Sequence, residues 1–69
     1  MISAKERFEE LGFNRIEGAD KIVYVRSTSD MPELIAFNLR NNTWVSNGVI
    51  DLLMSEAIVK QLQELEWLF

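Results

Sequence analysis

Near its start the chain reads Ser3-Ala4-Lys5-Glu6, and Ala4, Phe8 and Leu11 then fall at i, i+4 and i+7 with Glu6, Glu9 and Glu10 off that line. This spacing places one apolar stripe on a helix. Ser followed three residues later by Glu is the capping box, in which the hydroxyl accepts an orphan backbone N–H and the carboxylate reaches back to the cap. Gly12 is positioned to take the left-handed conformation that closes such a helix, with Phe13 as the apolar residue that often follows. The stretch from Asn14 to Asp20 is mostly polar, contains Gly18, and reads as a connection.

Beyond it the pattern changes period. Lys21-Ile22-Val23-Tyr24-Val25-Arg26 is β-branched and aromatic and predicts a first strand. Ser27 to Pro32 is a turn-rich break, Leu34 to Leu39 a second strand, and a turn of Arg, Asn and Thr leads into a third strand, Thr43 to Ser46. Asn47-Gly48 marks another turn, after which Val49 and Ile50 either lengthen the third strand or pack. Asp51 is placed to cap a second helix over Leu52 to Leu65, although Met54 stands where a capping box has Glu. Met54, Ala57, Ile58, Leu62 and Leu65 share its apolar face, while Glu56, Lys60, Gln63 and Glu64 lie off it. Glu64-Leu65-Glu66-Trp67 echoes Glu10-Leu11-Gly12-Phe13, but a Glu forced into the left-handed region is costly, so this helix is expected to end differently or to fray. The expected architecture is α+β: a three-stranded antiparallel meander flanked by N-terminal and C-terminal helices (αβββα), forming a single small domain over residues 1–69.

Strand alternation divides the sheet into two faces. Ile35, Phe37, Leu39 and Trp44, joined by Ile22 and Tyr24, form the face on which helices should pack. Val23, Val25, Leu34, Ala36 and Val45 fall on the other, edged by Asn38, Arg40 and Thr43. If both helices sit on the first face, the second is an uncovered apolar patch of the kind that marks interaction sites. One helix on each face removes it. The periodicity allows both arrangements.

Composition narrows the chemistry more than the fold. The 69 residues contain no His and no Cys, and a chain of this length buries only about 60% of its unfolded surface. A secreted domain so small usually needs disulfides. No leader-like segment and no apolar run near the ~20 residues of a membrane span is present, so a reducing, cytoplasmic location without membrane association is expected. Seven basic and eleven acidic side chains give a net charge of −4. That balance disfavours nucleic acid as the default partner.

No constellation for catalysis emerges. Acid–base pairs such as Glu6 and Glu10 lie on a helix face expected to be solvated, and Ser27, Ser29 and Ser55 have no His base. Asp30 and Glu33 do not form a calcium loop, and the three glycines are scattered rather than clustered for phosphate. No cofactor and no metal is therefore expected. Asn41-Asn42-Thr43 spells a glycosylation sequon, but its better account is the hairpin turn. Lys21, Tyr24, Arg26, Arg40 and Trp44 are the one basic and aromatic set, and a turn of two or four residues, setting Leu39 opposite Trp44 and Asn38 opposite Val45, sends Arg40 and Trp44 to opposite faces. The tail Trp67-Leu68-Phe69 either docks the helix end on the sheet or protrudes as a hook.

Glu6-Arg7-Phe8-Glu9-Glu10-Leu11-Gly12-Phe13, Ile22-Val23-Tyr24, Ile35-Ala36-Phe37-Asn38-Leu39, Thr43-Trp44 and Ala57 to Leu68, in this order, resemble a group of short proteins from phages and prophages of Gram-positive bacteria. The resemblance spans nearly the whole chain, through helix and strand signatures rather than functional residues. The group's closing motif often reads Glu-Leu-Gly-Trp, from which Glu66 departs. That group has no assigned activity, and the resemblance transfers no site. The sequence thus leads to a non-catalytic module that binds a protein partner or a second copy of itself, with Val23, Val25, Leu34, Ala36 and Val45 as the candidate interaction face. The alternative is a nucleic-acid-associated phage factor.

Overall fold

The computed structural model describes residues 2–27 and 31–67. The proposed break residues Thr28, Ser29 and Asp30, and Leu68 and Phe69 of the tail, lie outside the described residues. The elements in chain order are α1 (Ala4–Glu10), β1 (Asn14–Glu17), β2 (Lys21–Arg26), β3 (Glu33–Asn38), β4 (Thr43–Ser46) and α2 (Leu52–Glu64). The strands form one antiparallel sheet in the order β1-β2-β3-β4. The layout is α+β with four strands, one more than the sequence pattern predicts.

The additional strand is β1, within the stretch expected to be a connection. It carries no apolar alternation because it is an edge strand whose helix-side residues are charged. Arg15 hydrogen-bonds the Tyr24 hydroxyl at 3.2 Å, lies over the Tyr24 ring and pairs with Glu17. A turn at Gly18, whose N–H donates to the Lys21 carbonyl at 2.8 Å, brings β1 back along β2. Strand pairing, rather than burial of its own side chains, holds this segment extended. A charged edge also discourages unwanted strand addition.

Both helices begin as their caps dictate. The Ser3 hydroxyl accepts the Glu6 N–H in a complete capping box, and the Asp51 carboxylate accepts the Met54 N–H at 2.9 Å. Both helices also end alike. At α1 the Gly12 N–H donates to Glu9 and the Phe13 N–H to Phe8; at α2 the Glu66 N–H donates to Gln63 and the Trp67 N–H to Leu62. These are paired Schellman closures, with Gly12 at φ 94° and Glu66 at φ 61°. The expectation that α2 ends differently is thus corrected. Trp67 packs against the core and approaches the Phe37 ring at 6.4 Å between centroids, and this anchoring opposes the cost of a left-handed Glu. Glu66→Gly is expected to stabilise the chain by about 1 kcal/mol, raising a thermal midpoint by roughly 4–8 °C. An unchanged midpoint by calorimetry would show that the backbone at Glu66 carries no strain.

One hydrophobic cluster joins both helices to one face of the sheet. Phe8, Met54, Ala57 and Ile58 from the helices meet Ile22, Tyr24, Ile35 and Phe37, with Phe13 beside them. The Phe8 ring stacks on Tyr24 at 3.9 Å between centroids and crosses Phe13 edge-on. The Glu64 carboxylate accepts the Ala4 N–H at 2.7 Å, tying the last turn of α2 to the first turn of α1, where the helix dipole favours negative charge. Ile50 packs against the cluster while Val49 is exposed. Of the two arrangements the sequence permits, this is the one with both helices on the Phe37 side.

Candidate functional site

The face opposite the helices is built by strand register. Ile16, Val23, Ala36 and Val45 are partners across all four strands and form its central row, with Val25 and Leu34 beside each other in the next row. Ile16 and Val45, on the two edge strands, are 59% and 61% exposed, and the four residues between them are half-buried. Neither helix lies on this face. Val23, Val25, Leu34, Ala36 and Val45, the residues singled out from the sequence, are therefore brought together. Ile16 is the member that sequence reasoning missed, because a lone apolar residue between Arg15 and Glu17 gives no alternation to read.

The electrostatics of this face are unlike those of the rest of the chain. Lys21, Asn38 and Thr43 close one end of it, Asn14 the other, and no carboxylate points from it among the described residues. Glu17 and Glu33 belong to the helix side, where Glu33 pairs with Arg26 at 2.7 Å. The Asn47 amide takes the Leu34 N–H on its oxygen and donates to the Pro32 carbonyl, so the end of the face near Leu34 is hydrogen-bonded to β3. A hollow of about 160 Å³ at the β3–β4 end of this face is lined by Ala36 with Lys21, Asn38, Thr43 and Val45, and by Phe37 and Trp44.

The β3–β4 register sets Phe37, not the expected Leu39, opposite Trp44 and Ala36, not Asn38, opposite Val45, a shift of two residues that keeps each side chain on its face, and it splits the basic and aromatic set. Tyr24, Arg26 and Trp44 lie on the helix side, Lys21 lies on the open face, and Arg40 sits in the β3–β4 turn. Arg26 is committed to the fold: it donates to the Leu11 carbonyl at 2.8 Å, pairs with Glu33 and lies over the Phe13 ring. The open face therefore presents aliphatic side chains where base stacking requires rings.

Polar chemistry on the helix side forms an internal network. The buried Tyr24 hydroxyl donates to Gln61 Oε1 at 2.5 Å and accepts from Arg15. Burial pushes the Tyr24 phenol above its ordinary value, partly opposed by the nearby Arg15 guanidinium. Burial lowers the pKa of Arg15, but Glu17 and Tyr24 outweigh it and leave a net rise. Arg26 Nε is buried without a hydrogen-bond partner. A groove of about 360 Å³ along the helices mixes Arg7 and Lys60 with Glu56 and presents no uniform chemistry. Among the described residues no group of three or more His, Cys, Asp or Glu is placed to hold a metal ion, and no helix is long and apolar enough to cross a membrane. Compared with protein families, curated proteins and solved structures, the chain matches none.

Proposed function

We propose that this chain is a small non-catalytic protein-interaction module, of the phage accessory type its sequence resembles, and that it works through the face opposite its helices. The observation that supports this reading is the contiguous row Ile16, Val23, Ala36 and Val45, with Val25 and Leu34, left outside the core cluster by the placement of both helices. At the ordinary strand separation and rise, four strands and three side-chain rows span about 400 Å². The six apolar residues occupy about half of that face, an apolar patch of about 200 Å² with no helix over it.

Val45→Glu tests the reading directly. Val45 is 61% exposed on an edge strand, so a carboxylate there should leave the fold within about 0.5 kcal/mol of wild type while placing a charge in the patch. Proteins retained by immobilised wild-type chain from the source cells should be lost from the Val45→Glu chain at the same salt. Retention unaffected by Val45→Glu would remove this face from the function. A salt-sensitive shift of labelled DNA by the wild-type chain would favour the nucleic-acid reading instead.

A further inference from the structure

We infer that the occupant of the open face is a second copy of this chain, packed sheet to sheet about a two-fold axis that runs parallel to the strands. The inference rests on the interaction-module reading and adds the partner and its geometry.

The first argument is charge. Each copy carries a net charge of −4, so two copies repel wherever their acidic surfaces meet. The described part of the open face has no carboxylate and a single cation, Lys21, at its end. It is the surface on which two acidic copies can meet without setting carboxylates against each other, the one cation of each lying at its exposed end.

The second argument is the pattern across the strands. A two-fold axis parallel to the strands lays β1 over β4 and β2 over β3 of the second copy. Ile16 then faces Val45, Val25 faces Leu34, and Val23 faces Ala36. At one end Lys21 faces Asn38, so polar groups meet polar groups. The other in-plane axis, across the strands, sets Val25 against Lys21 and Leu34 against Asn38, burying polar groups against aliphatic ones. Only the first axis matches the face to itself. Aligned packing of two twisted sheets at ~10 Å separation is an ordinary solution for such faces, and two-fold dimers are the commonest oligomers.

Area sets the strength. About 400 Å² from each copy totals about 800 Å², below the ~1,200 Å² of stable specific interfaces, so the dimer is weak and forms only at high protein concentration. Repulsion between the two net charges is screened by salt, so association should tighten several-fold on going from dilute buffer to about 0.5 M NaCl.

Sedimentation equilibrium of the whole chain should give an average mass that rises toward that of a dimer as concentration increases, with the added-salt curve displaced to lower concentration. Geometry is read by cross-linking, which is clean because the chain has no native Cys. Ile16→Cys and Val45→Cys occupy exposed positions, and a bis-maleimide shorter than the ~14 Å between the edge strands of one sheet should join them when the two variants are mixed. Neither variant alone should cross-link. Self-cross-linking of Ile16→Cys without enrichment in the mixture would overturn the axis. A monomer mass maintained to about 1 mM would overturn the second copy as occupant, whatever the variants do. If that monomer still retains a cellular protein that Val45→Glu loses, the interaction-module reading stands and only this inference fails; if Val45→Glu changes neither self-association nor retention, both fail.

Discussion

Phe37→Ala is expected to cost about 3–5 kcal/mol, the range for deleting a buried aromatic side chain. Phe37 is fully buried at the centre of the helix-side face. Its ring meets Tyr24 edge-on at 6.1 Å and Trp44 at 6.2 Å between centroids, and Trp67 approaches from the end of α2. Truncation removes contacts to two strands and the closing turn of a helix at once, and those rings cannot all move in to fill the space. At roughly 0.05–0.15 kcal/mol per residue, a chain of this length has a total stability of about 3–10 kcal/mol. The variant should therefore be largely unfolded at room temperature or melt tens of degrees earlier. Urea denaturation followed by tryptophan fluorescence measures the difference. A cooperative transition close to wild type would mean that Phe37 is not where the core sits.

Tyr24→Phe is the second large effect, expected at about 1–3 kcal/mol because it strands a buried polar partner. The ring and its stacking on Phe8 are retained, but Gln61, 2% exposed, loses the hydroxyl that donates to it at 2.5 Å. Gln61→Leu should cost a similar amount. The double variant should cost less than the sum, since removing both partners leaves a smaller desolvation penalty; strict additivity in the double-mutant cycle would show that the two groups are not coupled. The same pair imposes a pH dependence. The folded-state phenol titrates above its unfolded value of about 10. Its stabilising contribution is complete below that value and is lost as pH rises from there through the folded pKa, because the unfolded chain gives up the proton first. Tyr24→Phe should flatten this alkaline decline, which thermal melts across pH 9 to 12 will show.

Gln61 also illustrates how far sequence reasoning extends. It lies seven residues beyond Met54, on the buried stripe of α2, yet a glutamine there signals a surface position until its partner is known. That partner comes from a strand 37 residues earlier in the chain. Ile16 is the corresponding case at the candidate site. Its own segment is polar, and it joins the apolar row only because β1 pairs with β2 in a register that places it beside Val23. Neither partner is local, so neither can be read from the segment that carries the residue.

What the sequence determined by itself is local in origin. The capping box at Ser3, the Asp51 cap, the left-handed turn at Gly12, the β2 and β4 boundaries and the alternation that separates Phe37 from Val45 all depend on residues within a few positions of one another. Such signals act through backbone preferences and side-chain spacing, which a linear pattern records in full. Tertiary structure decided the fourth strand, the left-handed closure at Glu66 against local preference, and the placement of both helices on one side. The last choice created the open face. The fit of Phe8 on Tyr24, Gln61 against its hydroxyl and Glu64 at the start of α1, with the aromatic and aliphatic cluster around Phe37, holds both helices on that side.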